Sequence, residues 1–509
     1  MKKPTSLTPE ALFMQLLEQQ KLNVELQKIS AAQQATILKM SEQMDALQHR
    51  LDKLLQLLYG VKSEKRKKPA QEAAPPTKTS NNSSKNELKS SVSSTNGRRP
   101  LPSDLPRVQV EHDVPENEQQ CKCCQRKMRR MGQVVTEQLE CEPAKLYVIE
   151  HIRHKYSCQK CKQNIVTADL PPQPIDKGLP GPGLLTEVVL NKYQYHLPLH
   201  RQEQRFANLG IELSRSTLCG WMMKIGSLFK PIVELMKTDS LIPGMRIFSD
   251  DTKCPVLAKN KTHTGRLWVY IGGGEDAPIC VVYDYTKSRS QTGPQKFLKG
   301  FQGYLQADAY PGYDVLYKDG KIVEVACMAH CRRNFMDIIK SSKEPGLANV
   351  AVDYIGELYD VERRIKNLPP IQRKYYRRVY SKPISKRFYR WLRRNQSQTL
   401  PKSPIGEAIN YALNHWHAFN NYRRDGILNI DNNTAERAMK PVVLGRKNYL
   451  FAGSHEGAIN AAIIYSIIET CKLNGINAFD YIRDVLTWLP ITLMKDLKQL
   501  LPYNWKPLP

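Results

Sequence analysis

Met245-Arg246-Ile247-Phe248-Ser249-Asp250-Asp251-Thr252 is the stretch on which the reading of this chain turns. From Met245 the pattern is that of strands, and the first of them, Arg246 to Ser249, runs straight into two adjacent acids. Further strand-like runs follow at Gly265 to Ile271, Ala277 to Tyr285 and Gly303 to Ala307. Ile322 to Ala326 is a fifth apolar run, and Gln295 to Phe301 reads as a short helix. The fourth run ends at Asp308, followed by the turn Ala309-Tyr310-Pro311-Gly312.

Three consecutive strands, a short helix and a further strand resemble the order of an RNase H-like fold. In that fold one Asp sits on the first strand, a second lies just past the fourth, and a third acid comes from a later helix. Asp250 and Asp308 fit the first two positions, with Asp251 the neighbouring alternative to Asp250. Glu436, within Asp431-Asn432-Asn433-Thr434-Ala435-Glu436-Arg437, fits the third. Asn and Thr there begin a helix, and Pro441 is expected to end it. Each carboxylate alone reads as a solvated or capping group. Together they suit phosphodiester chemistry, in which two divalent ions roughly 4 Å apart activate the nucleophile and stabilise the leaving oxygen. Carboxylate oxygens favour hard ions, so Mg²⁺ or Mn²⁺ is the expected catalytic cofactor. Downstream of Asp308, Cys327-Met328-Ala329-His330 is either a functional pair or a buried thiol beside a core histidine.

Upstream, Leu179 to Met236 reads as helical. One helix spans Leu184 to Tyr193 and another His200 to Leu209; Gly210 breaks the second, and Ser214-Arg215-Ser216-Thr217 caps a third. That is helix-turn-helix grammar, shared with many ordinary helical hairpins. Earlier still lie two Cys-x-x-Cys pairs, Cys121/Cys124 and Cys158/Cys161, with Lys145 to His154 alternating between them as a strand would. Four thiolates suit a closed, structural zinc site; a redox pair or buried thiols is the plainer alternative. Residues 65–106 are rich in Lys, Ser, Asn and Pro and read as a disordered basic linker. Before it, Ile37, Met40, Met44, Leu47, Leu51, Leu54 and Leu58 repeat at spacings of 3 and 4, an a/d seam of a coiled coil through which the protein is expected to self-associate.

The expected organisation is a multidomain α/β chain. A coiled-coil helix (1–64) and the linker (65–106) lead to a zinc module (107–172) and a helix-turn-helix-like region (173–240). The RNase H-like domain (241–452) carries a helical insertion at about 335–424, and a C-terminal helical unit (453–509) follows. The insertion interleaves basic and aromatic residues, as in Arg373-Lys374-Tyr375-Tyr376-Arg377-Arg378 and Arg387-Phe388-Tyr389-Arg390-Trp391, a composition suited either to DNA backbone contact or to an amphipathic helix surface. The 509 residues include 76 Lys plus Arg against 49 Asp plus Glu, a net charge of +27. A folded chain this basic points to a polyanionic partner, with nucleic acid the first candidate. Twelve Cys are too sparse for a secreted disulfide scaffold, and no apolar run reaches membrane-spanning length. A cytoplasmic, nucleoid-associated protein is expected.

Several of these segments, taken in order, resemble the insertion-sequence-66 family of bacterial DDE transposases. They are Leu58 to Lys65, both Cys pairs, His196-Leu197-Pro198-Leu199-His200-Arg201-Gln202-Glu203, Leu213 to Leu218, Thr264 to Tyr270, and Asp431 to Gly453 with Glu436-Arg437-Ala438 and Leu444-Gly445-Arg446-Lys447-Asn448. The resemblance implies cleavage and joining at the terminal inverted repeats of a mobile element and in target DNA, with Asp250, Asp308 and Glu436 as the triad. It also implies accessory proteins of the same element as partners. The family usually has Asp-Glu-Thr where this chain has Asp250-Asp251-Thr252. Two other readings remain compatible with the residues: a non-catalytic dimeric zinc and helix-turn-helix regulator, and an RNase H-like structure-specific nuclease.

Overall fold

The computed structural model describes scattered helical positions between 25 and 47, residues 146–152, 155–157, 165–167 and 172–176, and residues 178–507 except 260, 275–276 and 342–345. The chain divides into two compact units, Ser63–Ile152 and Met1–Lys62 with Arg153–Pro509. The linker and the four cysteines Cys121, Cys124, Cys158 and Cys161 lie outside the described residues. Of the expected heptad seam only Met40, Met44 and Leu47 are described; they are helical and exposed.

In the smaller unit residues 146–152 are exposed and carry no regular structure, so the expected strand at Lys145 to His154 is not formed there. A lone alternating segment leaves its amides and carbonyls to water unless a second strand pairs with it. The paired strands come later, in the larger unit: β1 (Lys155–Ser157) and β2 (Ile165–Thr167) make an antiparallel hairpin.

Three helices follow: α1 (Pro182–Tyr193), α2 (Leu199–Asn208) and α3 (Arg215–Met236). Gly210, at φ +81°, makes the turn after α2, and the Ser214 hydroxyl accepts the Thr217 N–H at 3.2 Å to cap α3. The helix-turn-helix grammar is thus present at the expected residues.

A five-stranded sheet is built from β3 (Arg246–Ala258), β4 (Lys261–Gly274), β5 (Ala277–Thr286), β6 (Gly303–Ala307) and β7 (Ile322–Ala326), with α4 (Thr292–Phe297) between β5 and β6. The order across the sheet is β5-β4-β3-β6-β7. β3, β4 and β5 form an antiparallel meander, whereas β6 runs parallel to β3 and β7 parallel to β6. The most apolar strands are β4 and β5: Trp268, Val269, Tyr270 and Ile271 of β4 and Val281, Val282 and Tyr283 of β5 are all buried.

From β7 the chain enters six helices: α5 (Met328–Ser341), α6 (Leu347–Ile365), α7 (Pro370–Tyr376), α8 (Lys382–Gln396), α9 (Pro404–Asn414) and α10 (Trp416–Asn420). They close around a core of their own that includes Phe335, Ile355, Phe388, Leu392, Ile409 and Phe419. The basic and aromatic runs of this region are partly interior. Arg377 is 1% exposed and makes a two-pronged pair with Glu362 at 2.9 and 2.7 Å. It also donates to the carbonyls of Tyr422, Asp425 and Leu428 at 2.9–3.0 Å. This guanidinium therefore ties helices together and is unavailable to DNA; a planar fork with five donors is suited to that junction.

The chain then returns to the sheet through α11 (Asn433–Tyr449), followed by α12 (His455–Leu473) and α13 (Ala478–Trp488). Pro441 does not end α11, contrary to the sequence expectation: it lies inside the helix. Proline removes one donor and crowds the preceding turn, but Ala438, Met439, Val442 and Gly445 bury the inner face on either side of it and hold the helix continuous. α12 is buried nearly all round, in the same core as the sheet, and it lies along the outer edge of β5. Ser466 accepts the Tyr283 N–H at 2.8 Å; Thr470 accepts the Val281 N–H and donates to the Val281 carbonyl, both at 3.1 Å. Asn474 takes the Ile279 N–H at 3.1 Å and donates to its carbonyl at 2.7 Å.

Candidate active site

Asp250 lies midway along β3, opposite Val269 of β4, and its carboxylate accepts the Asp251 N–H at 2.8 Å. Asp308 follows the last residue of β6 directly, and the chain turns away at Ala309 with φ +53°. Glu436 sits in the first turn of α11. These three acids, from positions 58 and 128 residues apart in the chain, come together at one end of the sheet. Burial, then the charges of Asp308, Asp251 and Glu436, push the Asp250 carboxyl up to about 7. Burial raises Asp308 as well, opposed by His330 and Arg289.

Asp250 and Asp251 point into different surroundings, as neighbouring residues on a strand must. The Asp251 side chain is 3% exposed and is paired with Arg266 at 2.9 Å and Arg289 at 2.8 Å. Two guanidiniums saturate it. Asp250 has no cation beside it of this kind among the described residues, and Glu436 keeps 27% of its side chain open. A cleft of about 320 Å³ is lined by Asp250, Asp251, Thr252 and Glu436 at one end and by Met439, Lys440, Val443 and Leu444 along α11.

α11 is fastened to the sheet at both ends by β3 and midway by Tyr283 of β5. Asn432 donates to the Ser249 carbonyl at 2.7 Å, Arg446 donates to the Thr252 hydroxyl at 3.1 Å and to the Lys253 carbonyl, and Tyr283 donates to the Ala438 carbonyl at 2.5 Å. Beyond the helix, Ala452 pairs with Val256 as an isolated bridge.

Cys327 and His330 flank the same site. The Cys327 sulfur, His330 and Glu436 have ligand atoms within 4.8 Å of one another. His330 Nε2 lies 3.7 Å from Glu436, and Arg333 lies 3.4 Å from the same oxygen. The Cys327 sulfur accepts the Asn432 N–H at 3.1 Å, which fixes the start of α11, and burial pushes its thiol up to about 12. Burial, aided by Arg333, holds His330 below the ordinary histidine value. Sequence reasoning singled out Cys327 and His330 without assigning them a role; the Cys-x-x-His spacing was the signal. It missed Arg289, Arg333 and Lys440, whose loop and surface positions carry no pattern.

A family model described as transposase IS66 family matches residues 177–460, more than half of the chain. This chain belongs to the IS66 transposase family. Further IS66 models match other parts: the zinc-finger binding domain of transposase IS66 over residues 118–162, which include all four cysteines of the two pairs, and the IS66 C-terminal element over 466–503. A model described as transposase C of IS166 homeodomain matches 46–110. Similar proteins in Sinorhizobium fredii (strain NBRC 101917 / NGR234) are themselves described as uncharacterized. The protein y4hP is 34% identical over 429 residues, covering 80% of this chain and 77% of its own length. The protein y4jD is 32% identical over 420 residues, covering 80% and 81%. As an IS66 transposase family member, the chain carries DNA-binding-like and zinc-finger modules in its N-terminal part, and among its described residues no helix is long and apolar enough to cross a membrane.

Proposed function

We propose that this protein is the catalytic transposase of its insertion sequence: it binds the terminal inverted repeats and carries out metal-dependent DNA strand cleavage and transfer on an RNase H-like domain. The observation that carries the reading is the convergence of Asp250, Asp308 and Glu436 from β3, the end of β6 and α11. The strand order and the parallel placement of β6 and β7 beside an antiparallel meander support the RNase H-like assignment.

The donor set fits a hard divalent cation. Burial and mutual repulsion lift the Asp250 carboxyl to about 7, and a divalent cation would supply the counter-charge for Asp250, which, unlike Asp308 and Glu436, has no side-chain cation beside it among the described residues. Asp250, Asp308 and Glu436 would hold Mg²⁺ or Mn²⁺, which supplies nucleophile activation and leaving-group stabilisation at the scissile phosphate. The chain's own residues do the rest. Asp251, locked by Arg266 and Arg289, holds Arg289 3.6 Å from Asp308 and so orients that carboxylate. Asn432 and Arg446 hold α11, and with it Glu436, against β3. Lys440 places a cation in the cleft beside the acids. Cys121, Cys124, Cys158 and Cys161 would hold one structural zinc, and the coiled-coil helix with its seam from Ile37 to Leu58 would pair two chains.

The test is cleavage and joining of DNA carrying the element's ends. Asp250→Ala, Asp308→Ala and Glu436→Ala should each abolish both steps while leaving end binding intact, and Asp251→Ala should retain more activity than Asp250→Ala. Normal cleavage by Glu436→Ala would remove the third ligand from the reading; the reverse order of the two aspartates would move the first ligand to Asp251.

A further inference from the structure

We infer that the cavity formed by α1, α2, the start of α3 and the end of α11 is a seat for one backbone phosphate of the DNA strand that leads to the carboxylates. This rests on the transposase reading above and adds to it a contact point and a register.

The cavity measures about 580 Å³, and Lys192, His200, Glu203, Arg215, Ser216 and Tyr449 are among the residues lining it. The three helices of one stretch, from Lys192 to Cys219, therefore meet Tyr449 from the far end of α11 here. Lys192 is the centre of the argument. Its ammonium lies 4.9 Å from the Tyr449 ring centroid and 5.5 Å from that of Tyr193. Among the described residues it has no ion pair and no hydrogen bond. Burial accordingly lowers its pKa from the ordinary lysine value. Lys192 is half-buried at the cavity wall and has no carboxylate paired with it among the described residues, so an anion entering the cavity would meet an uncompensated cation.

The second observation is the helix end that opens on the same space. α3 has 22 residues, and its first turn brings Arg215 and Ser216 to the cavity wall. A helix N-terminus favours negative charge, and phosphate above all. Glu203 is the one carboxylate of the lining, and it is engaged: it accepts the Arg215 N–H at 2.9 Å. Lys192 and Arg215 together outweigh it.

The register follows from α11. Glu436 and Tyr449 lie thirteen residues apart on that helix, roughly 20 Å at 1.5 Å per residue. For a duplex lying along α11, at about 3.4 Å per nucleotide, the seat holds the phosphate roughly six nucleotides from the scissile one. Arg437, Lys440 and Lys447 are exposed on the intervening turns and line the path.

The experiment uses the full chain and two labelled duplexes of equal length, one from the DNA flanking the gene and one of arbitrary sequence. Affinity is followed across salt concentrations from about 50 to 200 mM. Ser216→Asp puts a carboxylate into the seat at an exposed position, and Lys192→Gln removes the cation. Each should lower the slope of log affinity against log salt by about one unit, the signature of one phosphate lost, on both duplexes; Lys192→Arg should retain it. A single methylphosphonate about six nucleotides from the cleavage point should weaken the wild type and have no further effect on Lys192→Gln. Unchanged slopes in both Ser216→Asp and Lys192→Gln, with melting temperatures intact, would overturn the seat. Inactivity or activity of the Asp250 and Glu436 variants bears only on the catalytic reading and leaves the slopes as they are. A wild type that binds neither duplex in a salt-dependent way would overturn both.

Discussion

Asp250 carries an energetic signature that can be read without any substrate. Burial and the neighbouring Asp308 push its carboxyl up to about 7, well above the ordinary aspartate value near 3.8. The folded state therefore holds the proton more tightly than the unfolded one. Its stabilising contribution is fully present below about pH 4 and is lost as pH rises through 7, by up to roughly 1.4 kcal/mol for each unit of displacement before solvent screening reduces it. In chelator, the wild type should thus melt progressively lower than Asp250→Asn as pH goes from 5 to 8. Mg²⁺ or Mn²⁺ should restore the wild type at pH 8 and leave Asp250→Asn where it was. Equal melting temperatures for the two proteins across that range would mean that the carboxylates are not crowded. The choice of Asp250 over Asp251 was open from the sequence, because adjacent acids on a strand look alike until their partners are known. Arg266 could be anticipated on β4, but Arg289 comes from a loop with no pattern, so the double pairing that occupies Asp251 was not legible.

At the scale of elements, strand periodicity located all five strands of the sheet, because buried alternation is a local property of the chain. Two helical features were harder. Pro441 reads as a stop and is tolerated only because the inner face of α11 is packed on both sides of it. The role of the C-terminal helix was invisible, since it lies in the pairing of side chains at Ser466, Thr470 and Asn474 with a strand nearly 190 residues earlier. Residues spaced by four on one helix face supply the donors and acceptors that the edge of β5 would otherwise present to another chain. The double variant Ser466→Ala/Thr470→Val keeps the volume of the core but strips that edge of its partners. It should lower the melting temperature by several degrees, with about 1–3 kcal/mol lost for each buried group left unpaired, and should promote concentration-dependent association detectable by light scattering. A variant as stable and as monodisperse as the wild type would show that α12 contributes packing alone.

At the scale of the whole molecule, a core of helices α5–α10 stands between β7 and α11 in sequence, while the ends of this excursion are joined in space. The Met328 N–H donates to the Ile430 carbonyl at 3.1 Å, and the Cys327 sulfur takes the Asn432 N–H. Glu436 is thereby positioned by β3 and by this junction. Co-expressed fragments divided in the connection between α5 and α6 should therefore reassociate into one particle with both acid-bearing pieces, as size-exclusion chromatography would register. Fragments that stay apart would mean that the covalent connection is needed to bring α11 home.

The same pinned junction makes the excursion a tether whose length matters little. Once Met328 and Ile430 are joined, the chain between them is a closed loop, and the entropy of closing a loop grows only with the logarithm of its length: each doubling costs about 0.6 kcal/mol. With α5 retained, since it carries His330 and Arg333 against Glu436, related chains could lengthen, shorten or exchange the helices between α5 and Ile430 at small thermodynamic cost while the acids keep their places. That region is therefore where lineages of such proteins are free to diverge in size, and where a foreign domain could be spliced in without disturbing the chemistry.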